Sequence, residues 1–433
     1  MRRALLLTLA IWMSAAVSPA AAQWQPLGLS LREVNRLQVH GGNLYACTNT
    51  GLYRIPLAST DTLWTFIAFP GQGVNDLAVL APDTLLAAKA LTGAASDTIS
   101  IFRSTDGGTS WAPFQNGFGA ASGREARRLL PFPSIPGAIV ALGNRVAKSS
   151  NGGRTWRDVA GTGMLNALEQ SPANPQLLWA GGENLSLSPY ILKSTDAGES
   201  WTTLGMPFFG DNAVDGIAAH PTNPSIVFFG MEGRVMMSSD GGATWPNMTS
   251  PNPAIYTYGL AIRPFLPLEV YAAGYSTVPD PRGVVFFRSF DGGLSWTTFS
   301  YPSYAGLGVS QLLVRYEGAA ETVYLATGNG VFRHQPITTG APLSEAAPLV
   351  ALRAAPNPFT GVAEIEFTLA SRRRVSVRVA DVRGRIVETL VNEVREAGPH
   401  RVVWEARRAA AGIYFVRIED GEQARVAKVL HLR

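Results

Sequence analysis

The chain has 433 residues, of which 46% are hydrophobic, with 44 Gly, 29 Pro and a single cysteine. That length exceeds one ordinary domain and suits two, while the glycine and proline content favours short strands and tight turns over long helices. One cysteine excludes an intramolecular disulfide framework, and a formal charge of +4 gives little electrostatic pull toward nucleic acid.

In chain order, Arg2 and Arg3 precede an apolar run from Ala4 to Trp12, and Ala20-Ala21-Ala22 stand before Gln23. This is the layout of a cleavable export signal over residues 1–22. The apolar run falls short of the roughly 20 residues that a membrane span needs. No later stretch reaches that length, so the mature chain is expected to have no transmembrane span.

From Trp24 onward the sequence repeats, and the repeat decides the architecture. Leu44–Cys47, Gly51–Arg54 and Trp64–Ile67 read as three short strands. Five segments then share one pattern, from Ser104-Thr105-Asp106-Gly107-Gly108 to Trp111, and likewise from Ser149 to Trp156, Ser194 to Trp201, Ser238 to Trp245 and Ser289 to Trp296. The tryptophans stand 45, 45, 44 and 51 residues apart. In each segment Asp106, Asn151, Asp196, Asp240 or Asp291 can accept backbone N–H bonds and close a turn. Glycine supplies positive φ, and Trp111, Trp156, Trp201, Trp245 or Trp296 opens the next strand with a ring to bury.

These segments resemble the Asp-box, or bacterial neuraminidase repeat, of sortilin-like and sialidase-like β-propellers. The resemblance implies that each marks the turn between the third and fourth strands of a four-stranded blade. On that reading the acidic turns are structural. Near the end, Val323–Ala326 and Gly330–Arg333 supply two strands with no tryptophan strand after them. Trp24-Gln25-Pro26-Leu27 matches Trp201-Thr202-Thr203-Leu204 and is expected to complete that blade. The expected fold of residues 23–334 is therefore an all-β, seven-bladed propeller closed by its N-terminal strand, which hides sheet edges.

Residues 335–352 are rich in Pro, Ala, Thr and Gly and read as a linker. Residues 353–433 hold about seven short strand patterns, suiting an immunoglobulin-like sandwich. They carry 15 Arg/Lys against 10 Asp/Glu, whereas residues 23–352 carry 19 against 22. The large domain is thus slightly acidic, which argues against a nucleic-acid partner. Pro356-Asn357-Pro358-Phe359, Asp381-Val382-Arg383-Gly384-Arg385, Gly412-Ile413-Tyr414 and the final strand with Lys428 resemble the C-terminal sorting domain of type IX secretion substrates. That resemblance implies a Bacteroidota-like host, the secretion machinery as a partner, and release to the medium or display on the cell surface.

Chemistry-bearing patterns are sparse. The five histidines have no ligand spacing, and no metal or other cofactor is expected. There is no Gly-x-Ser-x-Gly elbow and no phosphate-binding loop. Tyr53-Arg54-Ile55-Pro56 is similar to the arginine motif of sialidases, but Arg54 aligns with Arg103, Arg288 and Arg333 in the repeat, which alone explains it. Aligning the starts of the innermost strands gives two positions per blade at the mouth of the central channel. The first reads Asn35, Asn75, Arg127, Asn166, Asp215, Tyr258 and Ser310. The second reads Arg36, Asp76, Arg128, Ala167, Gly216, Gly259 and Gln311. Asp76, Arg127, Arg128, Asn166, Asp215, Tyr258 and Gln311 are the candidate ligand-binding residues, and no residue is assigned as catalytic. The sequence supports a secreted propeller that binds a glycan, polymer or protein partner. The alternative is a glycoside hydrolase, sialidase-like or glucanase-like, using carboxylates such as Asp76 and Asp215 at the channel mouth.

Overall fold

The computed structural model describes residues 24–432 apart from 95–96, 119–124, 162, 206–212, 246, 250–254, 265–266, 277–283, 300–307, 318–319, 335–349, 370–371, 382–384, 397, 408 and 420–423. The expected signal and most of the expected linker lie outside the described residues.

Among the described residues the secondary structure is all β, arranged as seven four-stranded sheets followed by a three-stranded and a five-stranded sheet. Blades 1 to 6 each take four consecutive strands, with innermost strands Val34–His40, Val74–Ala81, Arg128–Pro131, Gly163–Gln170, Gly216–Ala219 and Ile255–Ile262. Blade 7 has Val309–Glu317 innermost, then Ala320–Thr327 and Gly330–His334, and its outermost strand is Trp24–Gly28. Trp24 stands opposite His334, so the start of the described chain closes the ring. Each innermost strand packs against those of both neighbours, including blade 7 against blade 1.

The core is not one mass but seven wedges, one between each pair of adjacent blades. Each wedge receives one repeat tryptophan from the blade on its C-terminal side. Trp64 enters between blades 7 and 1, Trp111 between 1 and 2, and Trp156 between 2 and 3. Trp201, Trp245, Trp296 and Trp24 continue the series around the ring. Aromatic burial at a recurring place joins blades that share no hydrogen-bonded strands.

The acidic turns explain why the strands end where they do. In blade 5, Ser238 Oγ donates to Asp240 Oδ1 at 2.8 Å and accepts from Gly242 N at 2.7 Å. Asp240 Oδ1 also accepts from Thr244 N at 2.8 Å. Gly242 takes φ +89, and a Cβ there would lie 2.6 Å from Leu204 Cδ1 of the preceding blade. Glycine is therefore needed for both backbone shape and clearance. In blade 2 the hydroxyl and amide of Ser110, with the Ser104 hydroxyl, hold the Asp106 carboxyl down at about 2.

The remaining sheets form a sandwich. One comprises Val350–Ala355, Val362–Leu369 and Gly398–Glu405. The other comprises Phe359–Thr360, Ala424–Leu432, Gly412–Glu419, Arg373–Asp381 and Ile386–Arg395. The first strand begins at Val350, inside the stretch read from sequence as linker. This module has its own core around Phe359, Phe367, Trp404 and Tyr414. Phe359 and Tyr414 of the motifs lie in it, while Asn357 ties its segment to the last strand. Asn357 Nδ2 donates to Lys428 O at 2.8 Å, Asn357 Oδ1 accepts from Leu430 N at 2.9 Å, and Tyr414 donates its hydroxyl to Ala410 O at 2.7 Å.

Candidate functional site

Every innermost strand begins with the same irregularity. In blades 1, 2, 4, 6 and 7 the ladder skips Asn35, Asn75, Asn166, Tyr258 and Ser310 respectively. In blade 3 both Arg127 and Arg128 face Leu142, and in blade 5 both Asp215 and Gly216 face Gly230. This is a β-bulge, in which two residues oppose one and the extra side chain is re-aimed. Sevenfold repetition of the bulge turns the first aligned position of each blade toward the channel.

Much of that ring ties blade to blade. Asn35 Nδ2 donates to Val74 O at 2.8 Å, and Asn75 Nδ2 donates to Ala126 O at 2.9 Å and to Glu125 Oε1 at 2.8 Å. Arg127 then donates to Asn166 Oδ1 at 3.3 Å, and Asn166 Nδ2 donates to Asp215 Oδ1 at 3.3 Å. A hydrogen-bonded relay thus crosses from blade 3 to blade 5.

Above this relay lies a cavity of about 590 Å³. Arg127, Arg128, Asn166, Asp215 and Tyr258 line it, as do Glu33, Glu125 and Tyr275. A narrower space of about 120 Å³ shares Arg128, Asn166, Asp215 and Tyr258 and adds Gln311, Arg36 and Glu169. Five of the seven expected residues therefore meet in the larger cavity, and Gln311 stands in the narrower one. Gln311 Oε1 accepts from Leu37 N at 2.6 Å, linking blade 7 to blade 1.

Asp76 is the correction: it lines neither cavity and is 3% exposed. Its Oδ1 accepts from Leu77 N at 2.8 Å, and its Oδ2 accepts from Leu129 N of blade 3 at 2.9 Å. Arg36 sits 3.6 Å away as a counter-ion. Asp76 follows the bulge, and its carboxylate turns to the amides of Leu77 and Leu129, which it satisfies, whereas Arg36, Arg128 and Gln311 at the same aligned position line the narrower space. Arg54 of the sialidase-like motif also lies outside both cavities.

The electrostatics single out Asp215. Burial pushes its carboxyl up to about 6, and the nearby Glu183 charge adds to the rise. Burial and the like charge of Arg36 bring Arg128 down to about 10. Burial also raises Glu169, in the narrower space, to about 7. Among the described residues no group of three His, Cys, Asp or Glu is placed to hold a metal ion.

Tyr258 and Tyr275 form an aromatic wall of the cavity, and of the two the sequence alignment revealed only Tyr258. Tyr275 stacks on Tyr258 with ring centroids 5.8 Å apart and planes 19° from parallel. It stacks on Tyr256 at 5.0 Å and 12°. Tyr275 lies on the second strand of blade 6, and the alignment of first strands could not find it. The signal was local: Tyr256-x-Tyr258 puts two rings on one face of a strand, and Tyr275 pairs with Tyr256.

Comparison with known proteins adds three observations. Residues 354–431 match the family described as secretion system C-terminal sorting domain, so the chain is exported through type IX secretion to the cell surface or the extracellular space. A xyloglucanase of Paenibacillus sp is 27% identical over 195 residues, which are 40% of this chain but only 16% of that relative's length. Among solved structures, the GH74 xyloglucanase from Xanthomonas campestris superposes with a TM-score of 0.56 at 15% identity, covering 93% of this chain and 75% of that one. PorZ of Porphyromonas gingivalis, an essential bacterial surface component of the type-IX secretion system, superposes with a TM-score of 0.51 at 14% identity, covering 93% and 59%. At these identities the solved structures carry the fold and nothing finer.

Proposed function

We propose that this exported propeller holds a glycan at its channel mouth without hydrolysing it. The observation that carries the reading is the Tyr258–Tyr275 stack bordering the same cavity as the Arg127–Asn166–Asp215 relay. A sugar offers C–H faces that pack on aromatic rings and hydroxyls that exchange hydrogen bonds with amides, carboxylates and guanidinium groups. A cavity that combines an aromatic wall with a few fixed polar groups suits such a ligand. Glycosidases need two carboxyl groups about 5–9 Å apart; Asp76, the partner that the sequence offered for Asp215, is committed to backbone amides, which leaves Glu33 and Glu125 as the other carboxyl groups of the larger cavity.

In the same reading the five acidic turns are Asp-boxes with a structural role, and residues 1–22 are a cleavable signal. The propeller is read as residues 23–334, and the sandwich as starting with the strand from Val350, three residues before the expected boundary at 353. The test is a glycan array on the purified mature protein, followed by calorimetry on the best ligand. Tyr258→Ala is expected to weaken binding about tenfold, or about 1.4 kcal/mol. Unchanged affinity, or no glycan retained on the array, removes the proposal.

A glycoside hydrolase is the second reading, favoured by the raised carboxyl of Asp215. An acid group near 6 suits proton donation to a leaving oxygen, and the Paenibacillus relative bears the name xyloglucanase. Incubation with xyloglucan decides between the two readings. Turnover that Asp215→Asn abolishes would establish the hydrolase.

A further inference from the structure

One of the five acidic turns differs from the others in both sequence and surroundings. The residue before the Asp or Asn is Thr105, Ser150, Thr195 and Ser239 in four turns and Phe290 in the fifth. Asp106, Asn151 and Asp240 are exposed and Asp196 half-buried, whereas Asp291 is buried to 6% exposure. The sandwich covers it. Arg378 NH1 lies 3.5 Å from Asp291 Oδ2. The Phe290 ring is enclosed between two guanidinium groups, Arg288 of its own blade at 4.6 Å and Arg417 of the sandwich at 4.7 Å.

Both cations are positioned from behind. Arg288 is anchored by Glu269, whose Oε2 accepts at 2.6 Å and also receives Arg263 NH1 at 2.9 Å. Arg417 pairs with Glu419 at 2.5 Å and is itself 4% exposed. Arg378 and Arg417 are direct partners on adjacent strands, so they present one patch of the five-stranded sheet. Stacking of a cation on an aromatic face strengthens as water is excluded, and a large ring in place of a small hydroxyl at this turn has no use within the blade's own hydrogen bonding.

We infer that Phe290 and Asp291 of blade 6 form a docking site for the sorting domain of the same chain, which latches there through Arg417 and Arg378. Among the described residues the buried Arg417 guanidinium has no hydrogen-bond acceptor besides its ion pair, so opening returns it to water and the latch is reversible. While it is closed, the Arg378–Arg417 patch is covered. The outward side of the three-stranded sheet, with Arg401 and Val403, remains exposed.

The test uses the full mature chain in solution X-ray scattering, with limited proteolysis of the 335–349 segment as a second readout. The wild type is expected to scatter as one body of the dimensions seen here. Phe290→Ser, which restores the residue class of the other four turns, and Arg417→Glu are each expected to raise the radius of gyration and to speed cleavage about threefold or more. Arg378→Lys keeps the charge and is expected to stay close to wild type, which separates undocking from general misfolding. Wild-type scattering from two independently moving bodies would overturn the inference. So would Phe290→Ser and Arg417→Glu proteins that melt normally and match the wild type in both readouts.

Discussion

Asn166 donates to the Asp215 carboxylate at 3.3 Å across the boundary between blades 4 and 5. That carboxyl, raised from 3.8 to about 6 mainly by burial, makes folding sensitive to pH. A carboxyl whose folded pKa lies above its unfolded value contributes fully to stability below about pH 4. The contribution is lost as pH rises through 6 and changes little beyond. A shift of two pKa units corresponds to at most about 3 kcal/mol. Asp215→Asn is therefore expected to be more stable than wild type at pH 8 and equal to it near pH 3.5. Denaturant titration at the two values checks this, and a variant less stable at pH 8 contradicts it.

His220 should act in the opposite sense. Its Nδ1 accepts from Thr222 N at 3.2 Å and Asn223 N at 3.0 Å, and burial lowers its pKa from 6.5 to about 4. A base that stays neutral when folded contributes stability above pH 6.5 that is lost as pH falls toward 4. His220→Asn keeps a side-chain acceptor for the turn and is expected to flatten the pH dependence of the melting temperature over that window. An unchanged slope would remove His220 as the cause.

Within the repeat, the ring outweighs the acid. Trp245 is buried and meets Phe229 edge-on at 5.0 Å, in the wedge between blades 4 and 5. Trp245→Ala is expected to cost about 3–5 kcal/mol. Asp240→Ala removes hydrogen bonds at an exposed turn and is expected to cost about 1 kcal/mol. Equilibrium unfolding of the two variants ranks them, and a larger loss for the aspartate would reverse the account of what joins the blades.

Ring closure depends on one short strand. Trp24 contacts Phe286 at 5.5 Å and His334 at 5.1 Å, and its strand covers the edge of Gly330–His334. Trp24→Ala is expected to lose about 3–5 kcal/mol and to expose a strand edge that invites self-association. Sedimentation velocity should show oligomers that the wild type lacks. A monomeric variant of wild-type stability would mean that the ring closes without this residue.

Blade number and strand order were legible because five turns share a conspicuous local pattern, a tryptophan one residue beyond a serine or threonine, at spacings of 44 to 51 residues; the closing role of Trp24 followed from its likeness to Trp201–Leu204 and from the tryptophan strand missing after Gly330–Arg333. The channel-facing ring was legible at Arg127, Asn166, Asp215 and Tyr258 for the same reason. What alignment could not supply was the bulge: it adds one residue to a ladder, and sequence period alone does not reveal which of two neighbours then turns outward. Asn75 and Asp76 look equally suited to a channel, yet one faces the next blade's rim and the other its amides. Tyr275 was hidden because it reaches the mouth from a different strand. Phe290 is the odd member of its turn in sequence, but the repeat pattern gave it no role, which appears only with Arg417 laid against it.

The pairing of Trp24 with His334 also sets an order of assembly. The first strand of the ring has no lateral partner until the third strand of the seventh blade exists, so the earliest residues to be made must wait for some of the last. Loop closure over nearly the whole propeller has to be completed before that pairing repays its entropic cost. The seam is thus the pairing in the ring that joins residues farthest apart in sequence, and it is the one whose formation demands the longest loop.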